Sequence, residues 1–184
     1  MLSNSASFDQ NLILTGYLGP GQLQIARQVA DLLNMRFVDF DSRLEAFAEQ
    51  PADEIRALFG ESRLKTLEDQ LLSEIALYRG ALILISGETL LRGALPLLRT
   101  TGPIICVTAS IDAVLQRLHL AMGARFHDPR ERDLAMGIVR RAWAVRGTEG
   151  VSLLDTSYLT DAGMVEAIAQ RWRELAAVVD WRGV

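Results

Sequence analysis

Lysine is nearly missing from this chain. Lys65 is the one lysine among 19 basic residues, and every other basic residue is arginine. Cysteine is as scarce. Cys106 stands alone in an apolar run, so no disulfide forms within the chain, and it reads as a small buried hydrophobe in a reducing cytoplasm. Histidine occurs twice, at His119 and His127, without partners at metal-ligand spacing, and both read as surface residues. A basic excess is missing too. The net charge of −4 and the pI near 5.2 exclude the clustered positive footprint of a nucleic-acid binder. No apolar run approaches the ~20 residues of a membrane span. The segment Met1 to Gln10 has no basic and no apolar region of a signal peptide, and reads as a frayed leader.

The chain does carry enough apolar residues for a core. With 49% hydrophobic and 23% charged residues over 184 positions, it reads as one globular domain over 11–180. Short apolar runs alternate with helical patterns. The expected strands are Asn11–Thr15, Arg36–Asp39, Ala81–Ser86, Ile104–Val107 and Val151–Asp155. Ala81–Ser86 is the most apolar, which predicts the central strand. Ile25, Val29, Leu32 and Leu33 predict the buried face of the first helix, and Asn34 its end. Ser110 is a plausible N-cap for a helix carrying Val114, Leu115 and Leu118. Met122 to Arg132 reads as a mobile, arginine-rich segment, followed by a helix from about Asp133. The last helix carries Val165, Ile168, Trp172 and Leu175. Strands alternating with helices predict an α/β fold with a five-stranded parallel sheet flanked by helices, three layers in all.

Between the first strand and the first helix lies Gly16-Tyr17-Leu18-Gly19-Pro20-Gly21-Gln22-Leu23. Gly16 and Gly21 have the spacing of a phosphate-binding loop, G-x-x-x-x-G-K-[ST]. Gln22 occupies the lysine position and Leu23 the Ser/Thr position. The loop thus has a neutral donor in place of the cation and no hydroxyl for Mg²⁺. The bland reading is a tight strand-to-helix turn. Two further groups fall at strand carboxyl ends, where ligands bind in such sheets: Asp39 and Asp41, then Gly87 and Glu88. Asp39 and Asp41 need not point the same way on a strand end; a helix N-cap beside a solvated carboxylate is the plain alternative. Glu88 either stands in for a lost carboxylate near a metal or faces solvent. Arg141 alone reads equally as half of a surface ion pair.

These landmarks together resemble the shikimate kinases, over roughly Asn11 to Leu175. The glycine turn Thr15-Gly16-Tyr17-Leu18-Gly19, the segment Phe37-Val38-Asp39-Phe40-Asp41, and Gly60-Glu61 followed by Lys65 and Glu68 each resemble a family motif. So do the arginine-bearing segment around Arg125, Arg141, and Asp155-Thr156. The resemblance implies a P-loop NTPase fold and transfer of the ATP γ-phosphoryl to shikimate with Mg²⁺. It implies nucleotide contacts at Gly16, Gly19, Gly21, Gln22 and Arg117, and support of the Mg²⁺ shell by Asp39. Asp41 would hold substrate hydroxyls and orient the nucleophile, and Arg125 would approach the transferring group. Lys65, Gly87 and Arg141 would complete the acceptor site, with Lys65 and Arg141 on the carboxylate.

The departures from the family pattern are Gln22, Leu23, Lys65 in place of an arginine, and Ser86-Gly87-Glu88 in place of three glycines. Three readings follow. The first is a homologue deficient in phosphoryl transfer that binds a small polyhydroxy acid, and a nucleotide only weakly, as a ligand-binding or regulatory protein. The second is an active shikimate kinase on a nonstandard loop. The third is a related small-molecule kinase. Charge neutralisation dominates phosphoryl transfer, which favours the first. The expected setting is cytoplasmic, without nucleic acid or membrane, and the expected state a monomer.

Overall fold

The computed structural model describes residues 9–180, and their side chains up to 178. Residues 1–8, most of the expected leader, lie outside the described residues. Strands β1 (Leu12–Gly16), β2 (Arg36–Asp39), β3 (Ala81–Leu84), β4 (Ile104–Thr108) and β5 (Val151–Asp155) form one parallel sheet in the order β2-β3-β1-β4-β5. The central strand is therefore β1, not β3 as its apolarity suggested. The chain skips a position between β1 and β2, and β3 fills the gap. All interior strands are equally covered, so apolarity does not rank them.

Alternate strand residues feed two cores. Leu12 and Leu14 of β1, Leu82 and Leu84 of β3, and Ile105 and Val107 of β4 face α1 (Gln22–Leu32) and α9 (Asp161–Asp180). Ile13, Ile83, Ile104 and Cys106 face the other layer. There lie α2 (Phe40–Ala48), α3 (Ala52–Phe59), α4 (Glu61–Ile75), the short α5 (Gly87–Thr89) and α6 (Leu95–Leu98), α7 (Ile111–Met122) and α8 (Pro129–Ala142). A π-helical stretch, Leu90–Ala94, joins α5 to α6 and turns at Gly93, whose φ is 143°. Burial keeps Cys106 a thiol, with its pKa pushed up to about 11.

Asn11 ties the layers together at the foot of the sheet. Its Oδ1 accepts from the Ala81 N–H at 3.0 Å and its Nδ2 donates to the Tyr78 carbonyl at 2.9 Å. The Trp172 indole donates to the Asn11 carbonyl at 3.3 Å. With both ends paired, this fully buried amide costs the fold no unsatisfied group.

Two helices differ from the sequence reading. In α1 the buried face is Ile25, Ala26, Val29 and Ala30, with Leu33 just beyond, while Leu32 is exposed. The alanines let α1 sit close to α9, and a pattern read from large residues overlooks them. Asn34 does end the run, with φ of 54°. The segment expected to be mobile is helical. Gly123–His127 is a 3₁₀ helix, and α8 starts at Pro129 rather than near Asp133. Asp128 caps it by accepting from the Arg130 N–H at 2.9 Å, and Pro129 takes the first helical position. His119 stacks on Phe126, with His127 against its edge.

Candidate functional site

The carboxyl ends of β1, β2 and β3 meet on one edge of the sheet. After β1 the chain runs to α1 on one face, and after β3 it runs to α5 on the other. The crevice between these two neighbouring strands is the usual place for a ligand in such a sheet.

Gly16 opens the loop over this crevice. Its φ is 96°, and a Cβ there would collide with the Val107 carbonyl. This glycine is demanded by the approach of β4, whatever the loop binds. Gly19 has the same φ, while the Cβ positions of Gly19 and Gly21 face open space. Gln22 is the first residue of α1. The first turn of α1 has no acidic residue and no side-chain cap, so its leading N–H groups have no protein partner among the described residues.

A cavity of about 760 Å³ stands over the loop. Gly19, Gly21, Gln22 and Leu23 form one side of it, and Leu118, Met122, Leu134 and Ile138 the other. Arg125 borders it, with its Nε 3.9 Å from the Glu131 carboxylate. Tyr17 also lines it; its buried hydroxyl has no partner among the described residues, and burial raises its pKa. Arg117 does not border this cavity. Its guanidinium donates to Thr156 Oγ1 at 3.3 Å and to the Thr156 carbonyl. It is thereby fastened to the loop after β5.

A second cavity, about 480 Å³, lies beyond the ends of β2 and β3. Asp41, Arg56, Glu61, Glu68, Glu88, Arg92 and Arg141 line it. A narrower space of about 200 Å³ joins the two cavities and is bordered by Gly16, Gln22, Asp39, Asp41, Glu88 and Arg141. Asp39 and Asp41 therefore do face one space. Asp39 stands at the N-cap position of α2, which begins at Phe40, and the first helical turn swings Asp41 back beside it. The Asp39 Oδ2 accepts from the Ser42 hydroxyl at 2.5 Å.

Asp41 is reached by solvent, yet walls rise on every side. Their desolvation, then the Asp39 and Glu68 carboxylates, push its pKa up to about 6, against the pull of Arg92. Such a perturbed acid in a cleft marks a functional site. It also sets a pH dependence. In the unfolded chain the group titrates near 3.8. Between that value and about 6 the folded state holds a proton that the unfolded state releases, so stability falls as pH rises. Asp41→Asn should melt higher than the wild type above that window, and the two should converge below pH 3.8. Parallel thermal melts across the range check this, and a gap that does not change with pH would refute it.

Besides Arg117, two sequence-assigned residues lie elsewhere. The Lys65 ammonium bonds both oxygens of Asp69, one turn on along α4, at 3.0 Å, and does not line the second cavity. Gly87 is buried against the end of α8. A Cβ there would lie 2.8 Å from the Ala142 carbonyl, so helix packing rather than a ligand requires the glycine. Arg92 was overlooked. Its Nη2 and Nε reach the two oxygens of buried Glu68 at 2.5 and 3.2 Å, and its Nη1 is 3.6 Å from Glu88. It brings a guanidinium to the cavity wall where Lys65 brings none. The spacing of Glu88 and Arg92, one helical turn, was the available signal. Arg141 has no carboxylate partner within 4.0 Å among the described residues. Among those residues, no group of three or more His, Cys, Asp or Glu side chains converges as a metal site. No helix among them is long and apolar enough to cross a membrane.

A five-stranded parallel sheet, a glycine loop leading into α1, and carboxylates at the neighbouring strand ends define a P-loop kinase fold. The chain belongs to the shikimate kinase family, whose model, "Shikimate kinase", matches residues 19–140. It is 31% identical over 110 residues to a shikimate kinase of Thermodesulfovibrio yellowstonii; that match takes in 59% of this chain and 64% of the relative, just under two thirds. Among solved structures, shikimate kinase from Bacteroides thetaiotaomicron superposes with a TM-score of 0.69 at 24% identity, over 90% of this chain and 97% of the other. A gluconokinase from Sinorhizobium meliloti 1021 gives 0.68 at 16%, over 96% and 99%. At these identities the structures speak to fold alone.

Proposed function

We propose that this chain binds a small polyhydroxy acid of the shikimate type in the arginine-bearing cavity and is deficient in ATP-dependent phosphoryl transfer. It then acts as a ligand-binding or regulatory member of its family. The observation that carries this reading is the wall facing the glycine loop. ATP and Mg²⁺, which the family implies, do not fit the residues present there. Gln22 supplies no charge, Leu23 no oxygen, and Leu134 and Ile138 turn hydrocarbon toward the phosphate position. Arg125 alone among the lining residues is cationic, and Glu131 stands against it. Asp39 would be left to support a metal without the hydroxyl that completes such a site.

The acceptor side is better equipped. Arg141 and the Nη1 edge of Arg92 offer N–H groups to a carboxylate. Asp41 offers an oxygen to a hydroxyl. Calorimetry with shikimate and with ATP–Mg²⁺, separately and together, tests the reading beside a phosphoryl-transfer assay. Shikimate should bind, and ATP–Mg²⁺ should bind weakly with no turnover. Low-micromolar, EDTA-sensitive nucleotide binding with turnover would favour an active kinase, which the open N–H groups of α1 support as the second reading. Arg141→Gln should weaken shikimate by about tenfold, the loss of one charge-assisted hydrogen bond. Lys65→Ala should leave affinity unchanged. The reverse pattern would return the carboxylate to Lys65.

A further inference from the structure

The cavity over the glycine loop has a composition that suits a ligand of another kind. Its volume, about 760 Å³, is that of a small-molecule site. Leu134 and Ile138, one turn apart on α8, are 69% and 60% exposed beside it. Leu118 and Met122 of α7 and Leu23 of α1 continue the apolar surface. Water against so much hydrocarbon is unfavourable, and an apolar body would displace it. The floor is different in kind. The first turn of α1 presents N–H groups that no side chain among the described residues caps, although Pro20 in the loop before it gives none. Arg125 adds one positive charge, partly offset by Glu131. The positive supply matches one anionic head and falls well short of a triphosphate.

We infer that this cavity binds a small monoanion with an apolar body. A carboxylate or sulfonate head lies at the start of α1 beside Arg125, and an aromatic or hydrocarbon body lies against Leu23, Leu134 and Ile138. The inference rests on the reading that the cavity does not fit ATP–Mg²⁺, and it adds what the cavity takes instead. It gives the protein a second ligand next to the acceptor cavity, joined to it through the space bordered by Gln22 and Asp41.

The probe is 8-anilinonaphthalene-1-sulfonate, an aromatic monoanion that fluoresces when shielded from water. It is titrated into the full chain, with near-ultraviolet circular dichroism and a cooperative urea transition showing that the protein is native. Saturable binding at one site is expected. Leu134→Glu and Ile138→Glu, at exposed positions, should each weaken it about tenfold by setting a charge against the aromatic body. Arg125→Gln should weaken the sulfonate probe several-fold and leave uncharged N-phenyl-1-naphthylamine unaffected. Non-saturable fluorescence overturns the inference. So does equal binding by Leu134→Glu, or loss instead in Leu58→Glu on α3, outside the cavity; these results leave the acceptor-site reading standing. Displacement of the probe by micromolar ATP–Mg²⁺ overturns both the inference and the deficiency in nucleotide binding.

Discussion

Replacing Arg92 by alanine should lower the unfolding free energy by about 3 kcal/mol, near the low end for breaking a buried ion pair. Glu68 is only 3% exposed, and both its oxygens point at this guanidinium. Truncation leaves a buried carboxylate without a partner. The low end applies because the Arg92 side chain keeps 26% of its surface in solvent. In a chain of this length the loss corresponds to a fall in melting temperature of roughly 6–12 °C. Arg92→Lys should recover part of it, since an ammonium restores charge without the two-pronged geometry. Lys65→Ala, which breaks an exposed pair with Asp69, should cost less than about 1 kcal/mol. Urea titrations of the three variants compare them directly. If Arg92→Ala and Lys65→Ala were equally mild, Glu68 would have to be satisfied by other means, and the cavity wall would not be braced as described. Because Arg92 also faces the acceptor cavity, Arg92→Ala should bind shikimate more weakly than Arg92→Lys.

Restoring the two missing loop residues should have the largest effect on binding. Gln22→Lys with Leu23→Ser places a cation and a hydroxyl at the start of α1, where Mg²⁺ and phosphate would sit. The charge-assisted contact of the cation alone is worth about 1.5–3 kcal/mol, so ATP–Mg²⁺ affinity should rise by at least about 10- to 100-fold. The cost to the fold is small. Leu23 is 43% exposed and packs into neither core, and serine is tolerated in the first turn of a helix. Turnover should lag behind affinity, because Ile138 and Glu88 still border the path between the cavities. The comparison is made at identical salt and Mg²⁺. A folded double variant without a gain in affinity would mean that the loop is not a phosphate loop in this protein.

Much of the architecture was written in local patterns. All five strands appear within one or two residues of their expected positions, because short apolar runs bounded by glycine or proline leave little choice. The end of α1 at Asn34 and the cap at Ser110, whose hydroxyl accepts from the Ala113 N–H at 3.2 Å, follow from single residues. The start of α8 differs from its expected place because the charge of Arg125, Arg130 and Arg132 masks the structural signal, which is Asp128-Pro129. The gathering of the glycine loop and Asp41 around one crevice was expected from strand ends, whereas Arg141, on α8, was expected there only from the family resemblance. The orientation of Asp39 and Asp41 was not, since it depends on α2 beginning a residue after the strand.

The sequence by itself determined the α/β class, the glycine loop, and the absence of a lysine and a hydroxyl at its end. These depend on residue identity and short-range geometry, which no later packing alters. Only the tertiary structure decided which residues meet. It placed Arg92 rather than Lys65 on the acceptor cavity, because Glu68 draws that guanidinium inward while Asp69 holds the lysine along its own helix. It made β1 central through a skipped strand position. It assigned Gly87 to the close approach of α8. It also brought Leu134 and Ile138 over the loop, from more than a hundred positions away in sequence. Side chains on separate elements come together through sheet order and helix packing, and a one-dimensional pattern carries no measure of those distances.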